Sequence, residues 1–154
     1  MRHKETEAKL EFVGKWIAKA DNDLTIAQDE RFLKNENHIT DGICFHCQQA
    51  AEKYLKAFLT LNDIDIGKTH NLEICAKYCS KVDPEFNELN LGNLSQYGVA
   101  IRYPDDFYMP TLSEADEAIR IAEHIRKFAV GKIEELINIL SLSENQDNNK
   151  KREP

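Results

Sequence analysis

The residues best suited to chemistry fall in three stretches. In the first, at 100° per residue along a helix, His46, Gln49, Lys53 and Lys56 share an arc of about 80°, with Phe45 close beside it. A row of donors next to an aromatic ring suits a phosphate and a base, although the same row also makes an ordinary solvated helix face. In the second, His70 follows Thr69 at a helix start, where orphan amides and the helix dipole favour an anion. A loop histidine bonded locally is the plainer reading of that residue. The third stretch runs from Arg102 through Tyr103, Pro104, Asp105, Asp106 and Phe107 to Tyr108. Arg102 offers a bidentate fork for phosphate or carboxylate and Tyr103 a stacking face. An Arg-to-Asp ion pair, for which Asp105 stands ready, would instead pin the loop to the body.

Other chemistries lack their residues. Cys44, Cys47, Cys75 and Cys79 raise the question of zinc, with His46 or His70 in reserve. Structural zinc pairs sit on turns, whereas Cys47, Cys75 and Cys79 lie on apolar stripes where cysteine packs as a small hydrophobe. A redox pair at Cys44 and Cys47 would need a strand before its helix, and none is apparent. No metal and no cofactor are therefore expected. The chain has no Ser, His and Asp arrangement, phosphate-binding loop or HExxH motif, so standard hydrolase and nucleoside-triphosphatase chemistries have no support.

The elements that must position these residues are helices. Between Lys9 and Leu33, Val13, Trp16, Ile17, Ala20, Leu24 and Ala27 recur at helical spacing, and a second stripe runs through Ile43, Cys47, Ala50, Ala51, Tyr54 and Phe58. The second helix should end near Asn62, with Gly67 in the loop, and each would be roughly 35 Å long. Thr69 is the expected N-cap of a shorter helix carrying Leu72, Ile74, Cys75, Tyr78 and Cys79. Asp83 and Pro84 read as a cap and a first-turn proline opening another short helix. Tyr97 to Pro110, with Gly98, Pro104 and Pro110, reads as an irregular ordered loop. Ser113 with Asp116 resembles a capping box that starts a final long helix. The expected architecture is all-α: an up-and-down bundle of three long and one or two shorter helices. It occupies residues 1–142, and residues 143–154, too polar to bury anything, form a disordered tail.

Composition agrees. At 154 residues the chain suits one domain, and 42% hydrophobic with 31% charged residues is a soluble globular balance. Six Gly and four Pro are too few for the tight turns of an all-β fold. A net charge of −7 argues against a broad surface tracking nucleic-acid phosphates, but leaves room for a local basic pocket. Neither a signal-peptide core at the N-terminus nor a stretch of about 20 apolar residues is found. A cytoplasmic protein with free thiols and no membrane partner is expected.

The run Phe45, His46, Cys47, Gln48, Gln49, Ala50, Ala51, Glu52, Lys53, Tyr54, Leu55, Lys56 and Ala57 is followed by Thr69, His70, Asn71 and Leu72. Then come Arg102, Tyr103, Pro104 and Asp105. In content and order these resemble the HEPN family, from about Trp16 to Phe128. The resemblance implies a helical bundle like the substrate-binding domain of kanamycin nucleotidyltransferase, a habit of dimerising, and frequent pairing with a minimal nucleotidyltransferase. It also implies, for members with Arg, four to six residues and then His in a late helix, metal-independent ribonuclease activity in toxin–antitoxin systems. Here Arg120 and His124 have three residues between them, and Arg31 and His38, with six, fall where the first helix ends.

The expectation is a noncatalytic, homodimeric nucleotide-binding module working with a nucleotidyltransferase. Its ligand set is His46, Gln49, Lys53, Lys56, His70, Arg102, Tyr103 and Asp105. The alternatives are a ribonuclease toxin with an atypical Arg/His site and a structural dimerisation domain without ligand.

Overall fold

The computed structural model describes residues 2–34, 36–98 and 108–150. Four α-helices follow one another: α1 (Arg2–Phe32), α2 (Thr40–Leu61), α3 (Leu72–Val82) and α4 (Leu112–Lys150). Two short 3-10 turns, Pro84–Glu88 and Leu94–Gly98, lie between α3 and α4. Among the described residues there is no strand, and the all-α bundle expected from the stripes is the fold.

The centre of the bundle is α2, which packs against α1, α3 and α4. Ile43, Cys47, Ala50, Tyr54 and Phe58 are buried on one side, and Cys44, Ala51, Leu55 and Leu59 bury the flanks. A helix that is apolar nearly all round belongs inside. The neighbours are amphipathic: α1 turns Val13, Ala20, Leu24 and Ala27 inward, and α4 turns Ala115, Ala118, Ala122, Ile125, Ala129 and Ile133. The alanines at these contacts let the helix backbones approach. Phe86, on the first 3-10 turn, stacks with Phe58 of α2 at 4.4 Å and with Phe128 of α4 at 4.9 Å. Full burial of such a ring stabilises by roughly 1.5–3 kcal/mol, enough to fasten this connection to the core.

Helix starts differ from the expectation in two places. The N-cap of α3 is Asn71, whose side chain accepts from Ile74 N at 2.9 Å, because the helix begins at Leu72 and only this oxygen has the reach. Thr69 accepts instead from Asn71 N in the preceding turn. The capping box of α4 lies two residues earlier than Ser113 and Asp116. Thr111 accepts from Glu114 N at 3.1 Å, and the Glu114 carboxylate accepts from Thr111 N at 2.7 Å. Asp83 caps the turn led by Pro84 as expected, accepting from Glu85 N.

Helix lengths also exceed the stripes. The first helix starts at Arg2 rather than Lys9, and α4 continues past Leu142 to Lys150. Residues 141–146 are exposed there. Propagation needs only one local hydrogen bond per residue, and no Gly or Pro interrupts 132–150. The irregular loop expected over Tyr97 to Pro110 is described only at its ends, since 99–107 lie outside the described residues. No helix of the described residues is long and apolar enough to cross a membrane.

Candidate functional site

On the polar arc of α2, three of the four candidates divide between two buried carboxylates, and Gln49 donates to Gln48. Asp23 of α1, 8% exposed, meets Nδ1 of His46 at 2.8 Å and the Nζ of Lys53. Glu52, one turn before Lys56 on α2 and 4% exposed, accepts from the Lys56 ammonium at 2.7 Å. Its two oxygens also face Nδ1 of His70 at 3.1 and 3.2 Å. The arc is therefore not a solvated face: α1 covers one half of it and the segment leading into α3 covers the other.

Gln48 completes the second cluster. It is fully buried, donates to Glu52 Oε2 at 3.2 Å and to the His70 carbonyl at 3.1 Å, and accepts from the Gln49 amide at 2.7 Å. Its partners account for both ends of the amide, as a buried amide requires. Gly98 lies directly on it: a Cβ there would stand 3.0 Å from Gln48 Cδ. The backbone can pass this close only without a side chain. A larger residue at 98 would have to push the hydrogen-bonded Gln48 amide aside where the chain comes down onto the α2 cluster.

Lys56 and His70 also border a groove of about 680 Å³ between α1 and the connection from α2 to α3. Phe12 and Trp16 form its α1 wall, with rings 6.1 Å apart in an edge-to-face arrangement. The Lys56 ammonium stands 5.7 Å from the Trp16 ring centroid, inside cation–π range. The size matches small-molecule sites, which run from about 300 to 1,000 Å³.

Of the expected ligand set, the structure brings Lys56 and His70 together at this groove and places His46 and Lys53 on Asp23. Gln49 is tied to Gln48. Arg102, Tyr103 and Asp105 lie outside the described residues. Sequence reasoning passed over Asp23, Gln48 and Glu52. A signal for the last two was present, since Gln48 and Glu52 are polar residues one turn apart that fall among the buried Cys47, Ala51 and Leu55 rather than on the polar arc. Asp23 carried none, because a carboxylate between Asn22 and Leu24 on an amphipathic helix reads as surface.

The remaining chemistry-bearing residues serve packing. All four cysteines are free and buried; burial pushes Cys44 up to about 12 and Cys75 to about 11, and raises Cys47 and Cys79 also. These thiols are poor nucleophiles at neutral pH. No group of three His, Cys, Asp or Glu among the described residues is arranged to hold a metal. Tyr54 donates to Asp21 at 2.5 Å, and Arg126 of α4 donates to the same oxygen at 2.8 Å, tying three helices together. Burial, with the hydrogen bond to Asp21, raises the Tyr54 phenol well above its usual range. Three of the four residues of the two Arg/His pairs are separately engaged. Arg31 pairs with Asp116, His38 Nδ1 meets the Glu30 carbonyl at 3.0 Å, and Arg120 pairs with Glu117.

The chain is thus an all-helical domain whose polar chemistry is concentrated on its central helix. A family model of the HEPN domain matches residues 13–136, and the chain belongs to the HEPN family. A protein of Methanocaldococcus jannaschii, named "Putative toxin MJ1304", is 29% identical over 133 residues, covering 75% of this chain and 84% of the relative. No solved structure matches the chain.

Proposed function

We propose that this HEPN protein is a noncatalytic nucleotide-binding module, homodimeric, that works with a minimal nucleotidyltransferase partner. The Glu52 cluster carries the reading: a lysine and a histidine are held by one buried carboxylate at the edge of a groove with aromatic walls. A fixed ammonium and an imidazole beside stacking surfaces suit a phosphate and a base. Arg102 and Tyr103 add a guanidinium fork and a ring to the same chemistry by their residue types. The engagement of Arg31 with Asp116 and of His38 with a backbone carbonyl supports the absence of an acid–base pair between them.

The name of the archaeal relative, a toxin, favours a second reading, which the HEPN resemblance would make a ribonuclease toxin. Calorimetric titration with adenine and guanine nucleotides, run beside an RNA cleavage assay, separates the two. Saturable binding without cleavage is expected. Metal-independent cleavage by the wild type, lost on changing His38 or His124, would establish the toxin instead. Light scattering at micromolar concentration should give the dimer mass.

A further inference from the structure

Exposed apolar side chains are ordinary when scattered, as Ile26 of α1 and Leu142 of α4 are. At the end of the bundle where α1 stops and α2 and α4 begin, they are gathered. Phe32, Leu33 and Ile39, 79%, 54% and 60% exposed, lie at the junction of α1 with α2, and the half-exposed Tyr108, Met109 and Leu112 lie at the start of α4. Two contacts hold these segments at one end. Glu30 Oε1 accepts from Ile39 N at 2.9 Å, and the Arg31 guanidinium pairs with Asp116 of α4. Phe32 follows Arg31 directly, and Leu112 lies one turn before Asp116 on the same face of α4. Together these side chains expose on the order of several hundred Å² of apolar surface, comparable to the largest patch on an ordinary monomer, about 300–600 Å².

Charge decides what can cover this surface. Residues 29–42 and 108–120 hold seven Asp and Glu against three Lys and Arg, a surplus of four out of the chain's net seven. Ion pairs among the described residues neutralise Asp116, through Arg31, and Glu117, through Arg120. Glu30, Asp41 and Glu114 accept from uncharged donors, which leaves their charge uncompensated. Asp29 and Glu36 are exposed and outside any ion pair among the described residues, with Lys34 to offset one of them. A second copy seated here in an isologous contact would meet the same patch, setting the acidic surplus against itself. A cationic neighbour meets an apolar centre and a rim of opposite charge, the usual anatomy of a specific interface.

We propose that this end of the bundle docks a partner protein through a basic amphipathic segment, whose apolar side chains seat on Phe32, Ile39 and Leu112 and whose Lys or Arg meet the carboxylates at the rim. Phe32 is twenty residues beyond Phe12 of the groove, about 30 Å of helix. Docking here is therefore independent of the nucleotide-binding reading.

The full chain is titrated by calorimetry with a peptide of leucine and lysine about five helical turns long, its leucines on one face, and with the same peptide carrying glutamate for lysine. The lysine peptide should bind saturably, more weakly at high salt, and at least about tenfold tighter than the glutamate peptide, one decade in affinity. Phe32→Ser and Ile39→Ser alter exposed side chains at helix ends, so both variants should fold, as a melting curve will verify. Each should weaken the lysine peptide by about tenfold, the scale of a lost interface anchor. Asp29→Lys combined with Glu36→Lys should weaken it as well, whereas Ile26→Ser and Leu142→Ser, exposed elsewhere, should leave it unchanged. Equal affinity for the two peptides, no binding of the lysine peptide, or binding that the Phe32 and Ile39 variants do not alter overturns the proposal. A dimer mass in light scattering that Phe32→Ser reduces to the monomer assigns the patch to a second copy and overturns it too. Nucleotide titration of the same variants should match the wild type, which keeps this proposal and the module reading separately testable.

Discussion

Asp23 and Glu52 carry the same chemistry in two different settings. Each is a buried carboxylate holding one lysine and one histidine. The partners of Asp23 lie 23 and 30 residues away, on another helix, so the cluster joins α1 to α2. Glu52 and Lys56 are four residues apart on a single helix. That pair adds nothing to the arrangement of helices, and an exposed pair of its kind is worth only about 0.3–0.5 kcal/mol. Burying it removes two charges from water, a cost that apolar residues of similar size would avoid. The Asp23 cluster does not line the groove, whereas Lys56 and His70 do. The Glu52 cluster also ties α2 to the segment before α3 through His70, so what sets it apart is that Lys56 and His70 border the groove.

The sharpest way to break this comparison is at Lys56. Lys56→Met leaves the Glu52 carboxylate buried without its cation and should destabilise by about 3 kcal/mol, the lower end for a broken buried pair. Replacing Glu52 and Lys56 together by Leu and Met should recover much of that loss while nucleotide binding stays abolished. Urea midpoints and titration calorimetry on the three proteins decide the matter; a double variant as unstable as the single one would show that the pair is structural after all.

Asp23→Ala tests the other side. It strips His46 and Lys53 of their shared acceptor and should lower stability by about 2 kcal/mol, within the range for charged hydrogen bonds, with nucleotide affinity unchanged. A matching loss of affinity would merge the two clusters into one site. Below it in size comes Tyr54→Phe. The phenol is buried, but Asp21 keeps its bond to Arg126, so the expected cost is about 1 kcal/mol, a single hydrogen bond. Affinity should not move.

How far this was legible in sequence depends on the range of the interaction. The stripes of α1 and α2 are local periodicities, and each of their expected positions from Val13 to Phe58 faces the interior or its margin. Caps were legible where one residue decided, as at Asp83 with Pro84. They were misplaced where neighbours competed, as Thr69 did with Asn71 and Ser113 with Thr111. At the site, residue types were readable but partners were not. Nothing local in Lys53 says that its counter-charge is thirty residues upstream. The groove was invisible for the same reason. Phe12 and Trp16 read as one turn of an amphipathic helix, and only the fold sets them opposite Lys56.

The smallest effect concerns pH and belongs to neither cluster. Hydrogen bonds from Lys132 and Arg31 hold Asp83 and Asp116 below their usual carboxylate range. For Asp21, burial pushes upward, but hydrogen bonds from Arg126 and Tyr54 with the arginine's charge outweigh it, and the net direction is down. A carboxylate that ionises more easily folded than unfolded stabilises fully above its unfolded value, here 3.8. That contribution is lost as pH falls through the lower folded value. Stability from these three groups should thus be flat from about pH 5 to 7 and decline below about 4. Asp21→Asn should flatten part of that decline. At 1 M salt the Debye length is about 3 Å, so all three contributions should shrink, that of Asp116, the most exposed of them, by the most. Urea midpoints measured from pH 3 to 7, at low and high salt, test each part. Stability that rises as pH falls from 5 to 3 would mean that these carboxylates gain nothing from their partners.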